Sequence, residues 1–271
     1  ITANIAGSIF SLAVTSLLAI GFGLKGALTA LAIHPSLAFI VTLYLSYKAD
    51  WFKLSYLFGQ LDKAVVINLS KYTAMALTSA ASVPLSHILI RTHLTETLGM
   101  EAAGYWEAMW RLSSAYLMLV TTTLSLYYLP RLSELKKASE IKQEILQGYK
   151  IILPVAATCG LVIYLLRDFI ISLLFTPDFS PMSELFAWQM VGDTLKIGSW
   201  ILAYLMLGKA MVKLFIASEV IFAIAFYGWT YLFTSLIGLE GVVLAHAVNY
   251  ASYWLVMGAF VSSRLLKSNK L

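Results

Sequence analysis

The sequence predicts an all-α integral membrane protein of about eight transmembrane helices. Three observations carry this expectation. Hydrophobic residues make up 60% of the 271 positions and charged residues only 12%, against roughly 25% charged in an average soluble domain. Apolar runs of about 18 to 25 residues, the length that crosses a bilayer, recur along the whole chain. Basic residues gather in alternate connections between those runs, as membrane insertion requires. A soluble core needs elements short enough to bury one another, so the soluble class is excluded.

The spans are expected at residues 4–21, 27–46, 65–91, 104–129, 148–166, 184–207, 212–234 and 241–263. The first, "NIAGSIFSLAVTSLLAI", has no charged head and leads straight into a second span, unlike a signal peptide. Because the chain starts at Ile1 rather than Met, an upstream segment is expected. "GFGLKG", residues 21–26, joins these two spans. It matches the dinucleotide fingerprint by letters alone, without the strand and soluble helix that the fingerprint needs. "NLS", residues 68–70, fits a glycosylation pattern but lies at the cytoplasmic end of a span.

The third span sets Asn68, Lys71, Met75, Ser79, Ser82 and Ser86 on one side, with Arg91 near its outer end. The fourth carries a second polar stripe: Glu107, Arg111, Ser114, Met118, Thr121 and Ser125. Residues 131–147, "RLSELKKASEIKQEILQ", place Leu132, Leu135, Ile141, Ile145 and Leu146 at near-helical spacing, as an interfacial or a solvated linker helix would. The fifth span holds the single cysteine, Cys159, which has no disulfide partner and reads as packing. Residues 167–185, with Pro177 and Pro181, suit a re-entrant or interfacial turn.

The sixth span contains "FAWQMVGDTLKIGSWI". Asp193 lies nine residues beyond Glu184, roughly 13 to 14 Å into a core of about 30 Å. An ionisable group at that depth costs about 2.5 to 3.5 kcal/mol to insert and faces a partner or a wet cavity. Gln189, Asp193, Lys196 and Trp200 share one helical side. Glu219 lies about two turns inside the seventh span, and His246 is about as deep in the eighth. Three polar faces on three helices predict a shared wet cavity. The alternative, that Asp193 with Lys196 and Glu107 with Arg111 are neutralised pairs locking helices together, stays open. Lys71 and Arg91 also lie close enough to span ends to snorkel toward the headgroups.

The connections after the second, fourth, sixth and eighth spans hold eleven basic residues, from Lys48 to Lys270. The alternate set holds Lys25, with Arg91 and Arg167 at its edges. This predicts a cytoplasmic C-terminus. The net charge of +5 is spread over these connections rather than over one face, so no nucleic-acid partner is expected. No Ser/His/Asp arrangement, HExxH motif, or His or Cys pair at ligand spacing occurs, and His34, His87, His93 and His246 are scattered. No catalytic residue, metal site or cofactor is expected.

The segments "LLRDFIISLLF", "LFAWQMVGDTLKIGSWILAYLMLGKA" and "GYWEAMWRLSSAYLMLVTTTLSLYYLPRLSE" resemble the Wzx-type flippases of O-antigen and enterobacterial common antigen (lipid III). These belong to the multidrug/oligosaccharidyl-lipid/polysaccharide (MOP) exporter superfamily. The resemblance implies twelve helices in two lobes around a central cavity, of which this chain is the C-terminal part. Residues 1–64 would be the last two helices of the N-terminal lobe plus the interlobe linker, and 65–271 the C-terminal six-helix lobe.

It also implies a transporter, not an enzyme, in the inner membrane of a Gram-negative bacterium. The implied cargo is undecaprenyl-diphosphate-linked glycan, moved from the cytoplasmic to the periplasmic leaflet by alternating access. A polysaccharide polymerase and a chain-length regulator are the implied protein partners. Lys71, Arg91, Arg111, Lys196 and Gln189 are the expected substrate-binding residues. Asp193, Glu107 and Glu219 are expected to couple a proton or sodium gradient or to form charge pairs. Glu107 and Arg111 depart from the family pattern, which leaves them a substrate-specific role. The competing readings are a membrane-embedded polymerase or ligase, which would carry a large outer loop, and a drug/cation antiporter, which would prefer an acidic cavity.

Overall fold

The computed structural model describes residues 2–48 and 62–267. The connection at 49–61, with Lys53, and the terminal residues, with Lys270, lie outside the described residues. All the regular structure described is helical. The chain divides into two compact units, Ile1–Val65 and Val66–Leu271.

The first unit is dominated by α1, Thr2–Tyr47. Its 46 residues hold the length of two spans, interrupted at Gly23 by a non-helical turn (φ 59°, ψ −139°). The expected first and second spans are thus joined through one left-handed residue inside "GFGLKG" rather than by a loop. Among the described residues, seven stretches are long and apolar enough to cross a membrane, and the one in α1, Leu12–Ala30, straddles this break.

The second unit begins with α2, Lys63–Leu98, whose first turn is capped where Asp62 Oδ1 accepts the Ala64 N–H at 2.8 Å. A single residue, Gly99, separates it from α3, Met100–Thr123. A π-helical turn, Leu124–Tyr128, and then α4, Leu129–Glu134, continue the same rod. Pro130 has no N–H to give to the carbonyl of Leu126, so the ladder is already short of a bond where the wider turn occurs.

Helix α5, Ala138–Leu165, starts ten residues before the expected span. The stretch read as a separate interfacial or linker helix is therefore divided between α4 and the first turns of α5. Leu132, Leu135, Ile141 and Ile145 are buried, and Leu146 is exposed. The expected turn at 167–185 resolves into α6, Arg167–Leu174, and a 3₁₀ segment, Pro177–Leu185. Helices α7 (Phe186–Gly208), α8 (Val212–Ile237) and α9 (Glu240–Lys267) complete the unit.

Helix α7 is the core of this unit. Fourteen of its 23 residues are buried, and it packs against α9, α5, α3 and α8. One apolar cluster gathers Leu185, Phe186 and Met190 with Trp106, Met109 and Val242. A second gathers Ile201, Leu205 and Met206 with Leu124, Leu132 and Ile141. Between them on α7 lie Gly192, Asp193 and Lys196, so a polar layer separates two greasy ones. Lipid tails are as apolar as leucine, so helices in a bilayer are joined by close packing and polar contacts rather than by hydrophobic exclusion. The polar layer supplies such contacts.

Helix α2 is attached differently. Ser79 donates to Glu219 Oε2 (3.0 Å), Ser86 to the Ala223 carbonyl (3.4 Å), and His93 Nε2 meets Thr234 Oγ1 (2.9 Å). Ser79, Ser86 and His93 are seven residues apart, two helical turns, which repeats one face of α2 along α8. Both partners rise in number together, so the two helices run parallel. Small side chains at this seam leave open space between α2 and the helices beyond it.

Candidate functional site

The Asp193 carboxylate is buried, 1% exposed. Each of its oxygens accepts two hydrogen bonds. Gln189 Nε2 (3.1 Å) and His246 Nε2 (2.9 Å) donate to Oδ1. Ser113 Oγ (2.5 Å) and the Tyr116 hydroxyl donate to Oδ2. A carboxylate has no proton to give, so His246 donates from Nε2, which leaves its buried Nδ1 without a hydrogen-bond partner. The close approach requires Gly192, where a Cβ would lie 2.3 Å from His246 Cδ2. Four donors from α3, α7 and α9 satisfy a group whose burial would otherwise be prohibitive.

Lys196, one turn further along α7, does not pair with Asp193. Its ammonium lies 4.3 Å from the ring centre of Trp110, 5.2 Å from that of Tyr250 and 5.3 Å from that of Trp200. Among the described residues no carboxylate comes within ion-pair distance of it. Aromatic faces stabilise a desolvated cation by about 2 kcal/mol, but they accept no hydrogen bond in the ordinary sense. The ammonium thus keeps its donors.

Lys196 lines a cavity of about 320 Å³ between α2, α3, α7, α8 and α9. Glu219, half-buried, and Ser79 face the same space. The Asn249 side chain, 5% exposed, also lines it, and its Oδ1 has no hydrogen-bond partner. A second, more open pocket of about 630 Å³ shares Val83, His87 and Trp110 with the first. Its charged wall is a triad in which Glu107 pairs with Arg91 and, at 2.9 Å through Nε, with Arg111. Two guanidiniums around one carboxylate leave a net positive charge. The His87 imidazole sits edge-on to Trp110, with centres 3.9 Å apart, on the wall common to both pockets.

The expected residues therefore separate into groups. Lys196 and Glu219 meet in the closed cavity, and Arg91, Glu107 and Arg111 in the open pocket. Three of the expected residues line neither pocket. Gln189 lines neither pocket, because its amide is spent on Asp193 and Ser113 (3.3 Å). Asp193 lies behind the cavity wall and is hydrogen-bonded to His246 rather than paired with Lys196. Lys71 is exposed on α2, donates to Asn68 Oδ1 at 3.2 Å and lines neither pocket.

The sequence reading missed Ser113, Tyr116 and His246 as ligands of Asp193, and Trp110, Asn249 and Tyr250 as cavity walls. A signal existed in α3, where Trp106, Met109, Ser113 and Leu117 form a buried stripe at helical spacing. It lies beside the charged stripe that drew the attention.

The chain is 37% identical over 198 residues to the lipid III flippases of Escherichia coli (strain K12) and Shigella flexneri, a match over 73% of this chain and 48% of theirs. It spans about half the length of these curated relatives. No protein-family model matches it. Its fold is that of solved MATE transporters. Against the outward-facing conformation of a multidrug resistance MATE family transporter of the MOP superfamily, the TM-score is 0.74 at 14% identity. Against a mutant of the Vibrio cholerae MATE transporter VcmN it is 0.76 at 16%. These likenesses cover 98% and 99% of this chain and 62% of each of the others, and at such identities they are likenesses of fold. The chain is a multi-pass membrane protein, similar to the lipid III flippases over about half their length and with the fold of part of a MATE transporter.

Proposed function

We propose that this chain is the C-terminal part of a flippase carrying undecaprenyl-diphosphate-linked oligosaccharide from the cytoplasmic to the periplasmic leaflet of a Gram-negative inner membrane. Residues 65–271 form its C-terminal lobe, and residues 1–64 the end of its N-terminal lobe with the interlobe linker. The excess of Lys and Arg in alternate connections supports a cytoplasmic C-terminus. Assembly with a polysaccharide polymerase and a chain-length regulator belongs to the same reading.

The observation that carries the proposal is Lys196, a buried cation that faces a cavity and has no carboxylate within ion-pair distance among the described residues. Moving a diphosphate headgroup through hydrocarbon without compensation is prohibitive. Lys196 and the Arg91–Glu107–Arg111 triad provide compensation, the guanidiniums through paired hydrogen bonds and the ammonium as a point charge. The polyprenyl tail stays in lipid. The reaction is a relocation, and no bond of the cargo is made or broken.

Coupling to a proton or sodium gradient is assigned to Glu219. It lines the closed cavity and accepts a hydrogen bond from Ser79, whereas Asp193 is sealed by four donors. An antiporter of cationic drugs is the weaker reading, since the two pockets hold Lys196, Arg91 and Arg111 against Glu219 and Glu107.

The test is complementation of a flippase-deficient strain by the full-length protein, with surface glycan measured at equal membrane abundance. Wild type restores the glycan, and Lys196→Gln lowers it by about tenfold or more, as loss of a charged contact predicts. Normal glycan from Lys196→Gln would remove the cation from the transport path and sink the proposal.

A further inference from the structure

The two contiguous pockets differ in chemistry as well as size. The open one, about 630 Å³, has its charge on planar guanidiniums, which match a phosphate with two hydrogen bonds at once. The closed one, about 320 Å³, is of small-ligand size and has aromatic walls at Trp110, Trp200 and Tyr250. Its single cation is already spread over three ring faces. Asn249, 95% buried, carries a side-chain amide whose Oδ1 has no hydrogen-bond partner among the described residues. An unsatisfied buried amide costs about 1 to 3 kcal/mol and calls for a ligand.

We propose that the closed cavity formed around Lys196, Asn249, Trp110, Trp200 and Tyr250 is a sugar subsite, while the diphosphate of the same lipid sits in the adjoining pocket against Arg91 and Arg111. The inference rests on the flippase reading and divides its substrate between two sites. A pyranose ring presents C–H faces that lie on aromatic rings and hydroxyls that both donate and accept. Its hydroxyls donate to Asn249 Oδ1, and its oxygens accept from the Lys196 ammonium. A diphosphate cannot use the amide oxygen, because it has no proton to offer it at neutral pH. The shared wall of Val83, His87 and Trp110 lets one headgroup reach from one pocket into the other.

The division predicts that the two parts of the cargo are recognised by separable residues. The experiment measures binding to the full-length protein in detergent by quenching of tryptophan fluorescence, since Trp110 and Trp200 line the site. One probe is undecaprenyl diphosphate and the other is undecaprenyl-diphosphate-linked N-acetylglucosamine. Asn249→Leu, near-isosteric and apolar, should weaken binding of the glycosylated lipid by about tenfold or more and leave the sugarless lipid within about twofold. Arg111→Ala should weaken both. Asn249→Ser, a smaller polar replacement, is read in the same way where the leucine variant fails to fold.

If the Asn249 variants weaken both lipids equally, or neither, the sugar subsite is overturned while the flippase reading stands. If wild-type protein binds neither lipid, both are overturned.

Discussion

His246 on α9 donates a 2.9 Å hydrogen bond to Asp193 on α7, across a helix contact that only a glycine at position 192 permits. The pair ties together the two helices at the centre of the second unit. Its bond is one of four hydrogen bonds that hold the Asp193 carboxylate between α3, α7 and α9.

Removing either member takes a buried hydrogen bond from the other, a loss of about 1 to 3 kcal/mol. Asp193→Leu and His246→Leu should each lower the thermal unfolding temperature of the full-length protein in detergent. The double variant should lose less than the sum of the two. Strict additivity would mean that the two side chains do not interact.

Gly192→Ala places a methyl 2.3 Å from His246 Cδ2 and 3.1 Å from the Ala247 nitrogen, where little can yield. Overpacking of this kind costs about 1 to 3 kcal/mol. Gly104→Ala on α3, where a Cβ meets nothing within 4 Å, is the matched control and gains helix propensity instead. Equal unfolding temperatures for the two variants would contradict the close approach of α7 and α9.

Lys71 serves as a test of placement. It is exposed and bonded to Asn68 on its own helix, so Lys71→Gln should leave surface glycan within about twofold of wild type, the range expected where an exposed charge contributes little. A loss matching that of Lys196→Gln would put Lys71 back in the transport path.

Glu219→Gln keeps the Ser79 hydrogen bond and removes the titratable group. In proteoliposomes the full-length variant should bind lipid-linked glycan but lose the stimulation of transport by an imposed proton or sodium gradient. Asp193→Asn should act instead through the amount of folded protein. Gradient-driven transport by Glu219→Gln at the wild-type rate would assign coupling elsewhere.

Much of the fold was legible because bilayer length and apolar runs leave few alternatives. The joins differ most, at Gly23, at the end of α2 and at the early start of α5. The cavity was legible in part. Lys196 and Glu219 lie deep in spans, where a charge is conspicuous, and both line it. Depth alone could not tell Lys196 from Asp193, because direction around the helix is fixed by neighbours from α3 and α9. Asn249 and Tyr250 carry no charge and sit among residues that read as ordinary packing. Their role follows only from which atoms remain unsatisfied when the helices meet.

The seam between α2 and α8 has a mechanical consequence. Polar contacts between helices in a membrane are worth about 0.6 kcal/mol each on average, so parting the three at Ser79, Ser86 and His93 costs roughly 2 kcal/mol. Met75, Ile90 and Leu94 of α2 are also buried in the two apolar clusters, so lifting this wall must uncover them as well as break its polar contacts.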